Sequence, residues 1–163
     1  MTTIGIISDT HMPRGARRLP DACVERLRVT DLILHAGDFV SVSTLADIEL
    51  LGPPVLAVYG NADDEGVRGR LPSQRVVKTG GRRIGMAHDA GPAKGRLVRL
   101  RERFPDAHAA IFGHSHLPLH EEQDGFQIFN PGSPTERRRA PARTMGIARV
   151  EGGRVTFELV EVG

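Results

Sequence analysis

Ile4-Gly5-Ile6-Ile7-Ser8-Asp9-Thr10-His11 opens the chain with an apolar run that breaks off in a carboxylate and an imidazole. A short, nearly unbroken apolar run is the pattern of a buried strand. Leu32-Ile33-Leu34-His35-Ala36 repeats the form and ends in Gly37-Asp38-Phe39. Val55-Leu56-Ala57-Val58-Tyr59 repeats it again and ends in Gly60-Asn61-Ala62-Asp63. Between these runs, Leu19 to Leu27 carries Leu19, Cys23, Val24 and Leu27 at helical spacing, and Ser41 to Leu51 sets Leu45, Ile48 and Leu51 on one helical face. Ser41 or Ser43 can serve as its N-cap. Strand, helix, strand, helix, strand predicts a parallel sheet with right-handed crossovers. Ligands bind beyond the carboxyl ends of such strands, where Asp9, His11, Asp38 and Asn61 fall.

The remainder reads differently. Pro13 to Pro20 is an arginine-rich loop and Asp64 to Pro72 a polar loop. Gln74 to Thr79 and Arg82 to Ala87 flank Gly80-Gly81, a hairpin signal, so the sheet is expected to turn antiparallel here. The second of these strands runs into His88-Asp89, and Pro92 to Phe104 predicts a basic amphipathic helix with Leu97, Leu100 and Phe104 on one side. Ala109-Ala110-Ile111-Phe112 is a further buried strand that delivers Gly113-His114-Ser115-His116. Leu117 to Glu121 and Phe126 to Phe129 predict another hairpin, as do Thr144 to Val150 and Arg154 to Val160. Between them, Asn130-Pro131-Gly132-Ser133 is a rigid turn whose backbone amides could face an anion. The expected fold class is α/β: two packed mixed β-sheets forming a sandwich, flanked by helices on the outer faces. The first half supplies the parallel strands and the second half mostly hairpins. A single domain over 1–163 is expected for this length.

Composition narrows the class. Net charge is +2, and lysine occurs only at Lys78 and Lys94, so arginine carries the positive charge with acids interspersed. A dedicated nucleic-acid surface is weakly supported, because no clustered aromatics offer base stacking. Cys23 is the sole cysteine and reads as a small buried side chain in a helix. No stretch approaches the ~20 apolar residues of a membrane span, and no signal peptide is evident. A cytoplasmic protein with no membrane partner is expected; a homo-oligomer stays open.

Asp9, His11, Asp38, Asn61, His88, His114 and His116 together bring two carboxylates, one amide and four imidazoles to strand ends. That is more than one ion needs and suits two ions sharing a carboxylate. Nitrogen and oxygen donors without thiolate point to Mn²⁺, Ni²⁺, Fe²⁺ or Zn²⁺ rather than Ca²⁺ or Mg²⁺, and Mn²⁺ is the ion expected. Two divalent ions, two aspartates and a hydroxide leave a net charge of about +1, suited to a phosphate ester and its anionic transition state. Asp63 is expected to fix the Asn61 turn or a histidine, which makes Asn61 and Asp63 the catalytic candidates. His35, inside its apolar run, reads as a hydrogen-bonded core histidine.

At these residues the sequence resembles the calcineurin-like metallophosphoesterases, in particular the small bacterial and archaeal phosphodiesterases. The blocks that carry the resemblance are Asp9-Thr10-His11, Gly37-Asp38, Gly60-Asn61-Ala62-Asp63, His88 and Gly113-His114-Ser115-His116, in order, with the Asn130-Pro131-Gly132-Ser133 turn beyond them. The resemblance implies Asp9, His11 and His116 on the first ion, Asn61, His88 and His114 on the second, and Asp38 bridging. It implies hydrolysis of a small phosphodiester by a hydroxide shared between the ions. Many members carry histidine after the asparagine, where it protonates the leaving group; Ala62 cannot, which favours diesters over monoesters. Asp89 stands where small relatives often have glycine, so it either alters access to the second ion or faces solvent. Arg137, Arg138, Arg139 and Arg143 read as a solvated loop, with phosphate contact as the alternative. His108 and His120 read as surface residues, His120 being the reserve candidate for a general acid. Other functional classes compatible with the fold are a protein-interaction scaffold like the retromer subunit, and a nuclease.

Overall fold

The computed structural model describes residues 1–12 and 17–163. Part of the expected 13–20 loop, residues 13–16, lies outside the described residues. Two five-stranded sheets are formed. In the first, β1 (Thr2–Ile7), β2 (Leu32–His35) and β3 (Val55–Ala57) pair in parallel, linked by α1 (Asp21–Arg28) and α2 (Val42–Glu49). The βαβαβ reading holds there because each apolar run is followed by an amphipathic helix that covers one face of the sheet.

α3 (Glu65–Arg70) occupies the segment expected to be a polar loop. It is a single short turn, nucleated when Asp64 Oδ1 accepts from the Val67 amide at 3.0 Å. Gly66 and Gly69 hide it from any periodicity argument. The second sheet contains β4 (Gln74–Thr79), β5 (Arg82–Ala87), β6 (Ala109–Ile111), β7 (Leu119–Gln123) and β8 (Phe126–Asn130), with α4 (Arg96–Arg103) between β5 and β6. The expected hairpins form, but the expectation that the sheet turns antiparallel needs correction. β4–β5 and β7–β8 are hairpins, but β5, β6 and β8 pair in parallel. The last hairpin, β9 (Thr144–Glu151) and β10 (Arg154–Glu161), leaves this sheet and joins the first, with β9 antiparallel to β1.

Side-chain alternation explains the sandwich. Ile4, Ile6, Leu32 and Leu34 face Ile84, Met86, Ile111 and Phe129 in the buried layer between the sheets. The opposite parity, Ile7 and Ile33, packs with Cys23, Leu27, Leu45 and Ile48 beneath α1 and α2. Ala110, Phe126 and Ile128 receive Leu97, Leu100 and Phe104 from α4 on the far side. Every strand of the middle of the molecule is therefore apolar on both faces, which is why these runs lack a polar alternation. Among the described residues no helix is long and apolar enough to cross a membrane. Cys23 is fully buried, and burial pushes its thiol up to about 12, so it packs rather than reacts.

Candidate metal centre

The loops that follow β1, β2, β3, β5 and β6 meet at one end of the sandwich. They are laced together by main-chain bonds: Asp9 N to Gly37 O at 2.9 Å, His11 N to Asp38 O at 3.0 Å, and Gly113 N to His88 O at 3.0 Å. Asp9, His11, Asp38, His114 and His116 all hold positive φ, between 45° and 75°. Non-glycine residues there cost ~1–3 kcal/mol each, and such strain gathers at functional sites. Close approach also dictates composition. A Cβ on Gly60 would overlap the Asp38 carboxylate, and one on Gly113 would overlap the Ser8 hydroxyl.

All seven expected ligands converge. Asp9 Oδ1 is faced by His116 Nε2 at 3.5 Å, His88 Nε2 at 3.8 Å and His11 Nε2 at 3.9 Å. Asp38 Oδ2 stands 3.4 Å from His11 Nε2 and 3.2 Å from His88 Nε2, so it lies between the two halves of the cluster. Two donor sets result, Asp9–His11–His116 and Asp9–Asp38–His88, each buried. Asn61 Oδ1 extends the second set, 3.0 Å from both His88 Nε2 and His114 Nδ1. Asn61 and His114 form the exposed rim.

Backbone carbonyls orient two of the imidazoles. His88 Nδ1–H donates to Ala36 O at 2.7 Å and His116 Nδ1–H to Glu136 O at 2.6 Å, so each turns Nε2 inward. Burial keeps the His116 pKa low, and that ring is neutral with a bare Nε2 lone pair. Among the described residues this nitrogen and Asp9 Oδ1 are buried without hydrogen-bond partners, facing one another. Two lone pairs so placed repel unless a cation lies between them. Ligands ~2.0–2.2 Å from one ion are spaced as these are, so the donor set fits divalent metal.

The electrostatics agree. Burial pushes the Asp9 carboxyl up to about 7, against the pull of the His88 charge and the Ser8 hydroxyl. Asp38 is also penalised by burial, but its bond to His88 and the Ala62 amide hold it below the usual range. Burial opposes charge on His88, yet Asp38 and Asp9 raise it to about 9. A crowded set of carboxylates and imidazolium is what a cation site looks like when protons fill in.

Asp63 bonds to main-chain amides rather than to the ligand atoms of the cluster. Its Oδ2 accepts from the Gly60 amide at 2.7 Å and the Asp38 amide at 3.0 Å, and Oδ1 from the Val40 amide at 2.7 Å. It is a positioning residue that ties the Asn61 turn to the Asp38 turn. His35 is neutral and fully buried: Nδ1 accepts from the Gly37 amide at 3.0 Å and Nε2 pairs with Thr10 Oγ1 at 3.1 Å. Asp89 is exposed, with its carboxylate 4.0 Å from His114 Nε2.

Other candidates fall elsewhere. His120 pairs with Gln127 Oε1 at 2.8 Å and packs edge-on to Phe157, in a groove that contains no residue of the cluster. It is badly placed to protonate a leaving group. His108 accepts from the Arg83 amide at the other end of β6. Arg137 Nη1 donates to Ala140 O and Arg143 Nε to Thr135 O, bracing their own loop. The Asn130–Ser133 turn does not offer its amides to an anion as expected. Gly132 N donates to Asn130 Oδ1, and the turn is buried against the metal loops. Ser8, whose Oγ donates to Asp9 Oδ2 at 2.7 Å, carried no signal in the sequence, and the Asn130 turn gave no sign that Asn130 Nδ2 donates to Gly113 O at 3.2 Å. Serine and asparagine at strand ends are too common for their types to have marked them.

The profile of the calcineurin-like phosphoesterase superfamily domain matches residues 2–153. The chain belongs to that superfamily. A probable metallophosphoesterase of Methanothermobacter thermautotrophicus is 35% identical over 98% of this chain and 92% of its own length. A phosphodiesterase of Methanocaldococcus jannaschii is 25% identical over 79% of this chain and 82% of its own. Among solved structures, a Thermotoga maritima protein superposes with a TM-score of 0.77 at 30% identity, covering 99% of both chains. Vps29 of Entamoeba histolytica, complexed with Zn²⁺, shares the fold at a TM-score of 0.77 and 22% identity, again over 99% of both chains. The metallophosphoesterase fold and a buried Asp/His cluster suited to divalent metal thus occur together in this chain.

Proposed function

We propose that the chain is a dinuclear, divalent-metal-dependent phosphodiesterase, with Asp9, His11 and His116 holding one ion, Asn61, His88 and His114 the other, and Asp38 between them. The observation that carries this reading is the sharing of Asp9 by two buried donor sets, with Asp38 Oδ2 touching a histidine of each. When bound, the ions supply an acidified water and a positive field for the phosphate. The protein's own residues do the rest. The Nδ1–H bonds of His88 and His116 hold both rings in the tautomer that ligation needs. Asn61 and His114, exposed at the rim, border the place where a phosphate enters.

Preference for diesters is supported by Ala62, a methyl group next to Asn61 that has no proton to give a leaving alkoxide. The phosphodiesterase among the relatives supports it too. Mn²⁺ is the metal we favour among those that nitrogen and oxygen donors without thiolate admit. The test is reconstitution of the stripped chain with Mn²⁺, followed by metal analysis and assay with bis(p-nitrophenyl) phosphate and p-nitrophenyl phosphate. Turnover of the diester that vanishes on chelation is expected. A chain that retains no ion and turns over neither ester would instead be an interaction scaffold, a reading kept in view by the fold shared with Vps29.

A further inference from the structure

The seven ligands leave unexplained a groove of about 300 Å³ that runs from the Asn61–His88 side of the centre past Tyr59, Arg68, Asp89 and Arg103. Small-molecule sites occupy ~300–1,000 Å³. The Arg68 guanidinium lies over the Tyr59 ring, with Cζ 5.0 Å from its centroid. Its Nε donates to Asp63 O at 2.9 Å and its Nη2 to Asn61 O at 3.1 Å. Those bonds commit the Nε–Nη2 edge and fix the plane of the guanidinium. What remains is a flat cationic face, fixed by two carbonyls and backed by a phenol. That is a surface on which aromatic rings stack. Asp89, 61% exposed at the side chain, and Arg103 bring charges of opposite sign to the same groove.

We infer that this groove receives one organic substituent of the phosphodiester, and that Arg68, carried on Tyr59, stacks on a nucleobase, so that nucleoside phosphodiesters are the substrate class. The position of the scissile phosphate rests on the function proposed above; the ring contact does not require the ions.

Tyr59 is the only tyrosine and the chain has no tryptophan, so ultraviolet emission of the protein reports on this groove alone. The full chain, with Mn²⁺ added, is titrated with adenosine 5′-monophosphate and with ribose 5-phosphate, reading absorbance-corrected emission and calorimetry. The nucleotide should change Tyr59 emission saturably and bind about tenfold or more tightly than ribose 5-phosphate, as one stacked base allows. Arg68→Lys, which keeps the charge and removes the plane, should bring the two affinities to within about threefold. Equal affinities in the unaltered protein, or nucleotide binding that leaves Tyr59 emission unchanged, would overturn the inference. A base preference in a chain that hydrolyses no diester would sustain the groove and remove the diesterase reading. Diester turnover without base preference would do the reverse.

Discussion

The Ser133 hydroxyl donates to the main-chain carbonyl of Asp9 at 2.8 Å, a bond that spans 124 residues. Thr135 Oγ1 does the same for the Thr10 carbonyl at 2.7 Å. The turn after β8 therefore clamps the ligand-bearing loop after β1 from behind, where positive φ at Asp9 and His11 makes that loop costly to hold. Ser133→Ala should leave the buried Asp9 carbonyl with only the long 3.5 Å contact from Thr135 Oγ1, at a cost of ~1–3 kcal/mol in stability. Mn²⁺ affinity should fall with it. Calorimetric melting and metal titration check both, and an unaltered Mn²⁺ affinity would show that the clamp is dispensable to the site.

Asp63 carries a heavier burden, since one carboxylate satisfies the amides of Gly60, Asp38 and Val40. Asp63→Ala should therefore cost several times ~1 kcal/mol, a large share of a typical domain's ~5–15 kcal/mol. Asp63→Asn keeps an acceptor and should lose less. Denaturant unfolding of the pair gives the comparison; equal stability of the two variants and the parent would contradict the bracing role.

Asp9 illustrates the opposite trade. Its carboxyl is pushed up to about 7 by burial, and Oδ1 has no hydrogen-bond partner among the described residues. Asp9→Asn should abolish metal-dependent turnover while leaving the metal-free protein at least as stable as its parent, because the buried charge is gone. A clear drop in the melting temperature of the metal-free variant would argue that Asp9 is structural.

Metal binding should depend on pH in a set direction. Without metal, His88 holds its proton up to about 9 and Asp9 up to about 7. An ion must displace these protons, so apparent Mn²⁺ affinity should rise with pH, by up to about tenfold per unit for each proton released, and level off above His88. The contribution of these two groups to the stability of the metal-free chain should move oppositely. The raised His88 pKa contributes stability that is complete below its ordinary 6.5 and lost as pH rises through about 9. The raised Asp9 pKa favours the folded protonated form, an advantage lost between 3.8 and about 7. Below 6.5 the buried neutral His35 and His116 act the other way, so melting curves of the stripped chain should fall from about pH 7 to about 9; a rise there would refute the assignment.

Position 62 sits beside the centre, its amide donating to Asp38 Oδ1 at 2.8 Å and its methyl group inert. Ala62→His should raise monoester turnover relative to diester turnover, by about tenfold or more if a proton reaches the leaving oxygen. An unchanged ratio on the two p-nitrophenyl esters would remove Ala62 as the source of preference.

Local sequence carried the chemistry of this protein. Apolar runs stopping at Asp9, Asp38, Asn61, His88 and His114 announce strands with ligands at their ends, because a strand buried on both faces needs unbroken apolar residues and its end does not. Helix α3 stayed hidden, its two glycines and single buried Val67 leaving no period to read. The partner of each strand was equally hidden. That β9 inserts beside β1, and that β5, β6 and β8 run parallel, follows from which apolar faces fit across the sandwich, a property of residues far apart in the chain. The same holds for the clamp of Ser133 on Asp9 and the tie of Asp63 to the Asp38 turn. A hydroxyl or carboxylate declares its capacity to bond in the sequence, but its partner is chosen only when the loops close on one another.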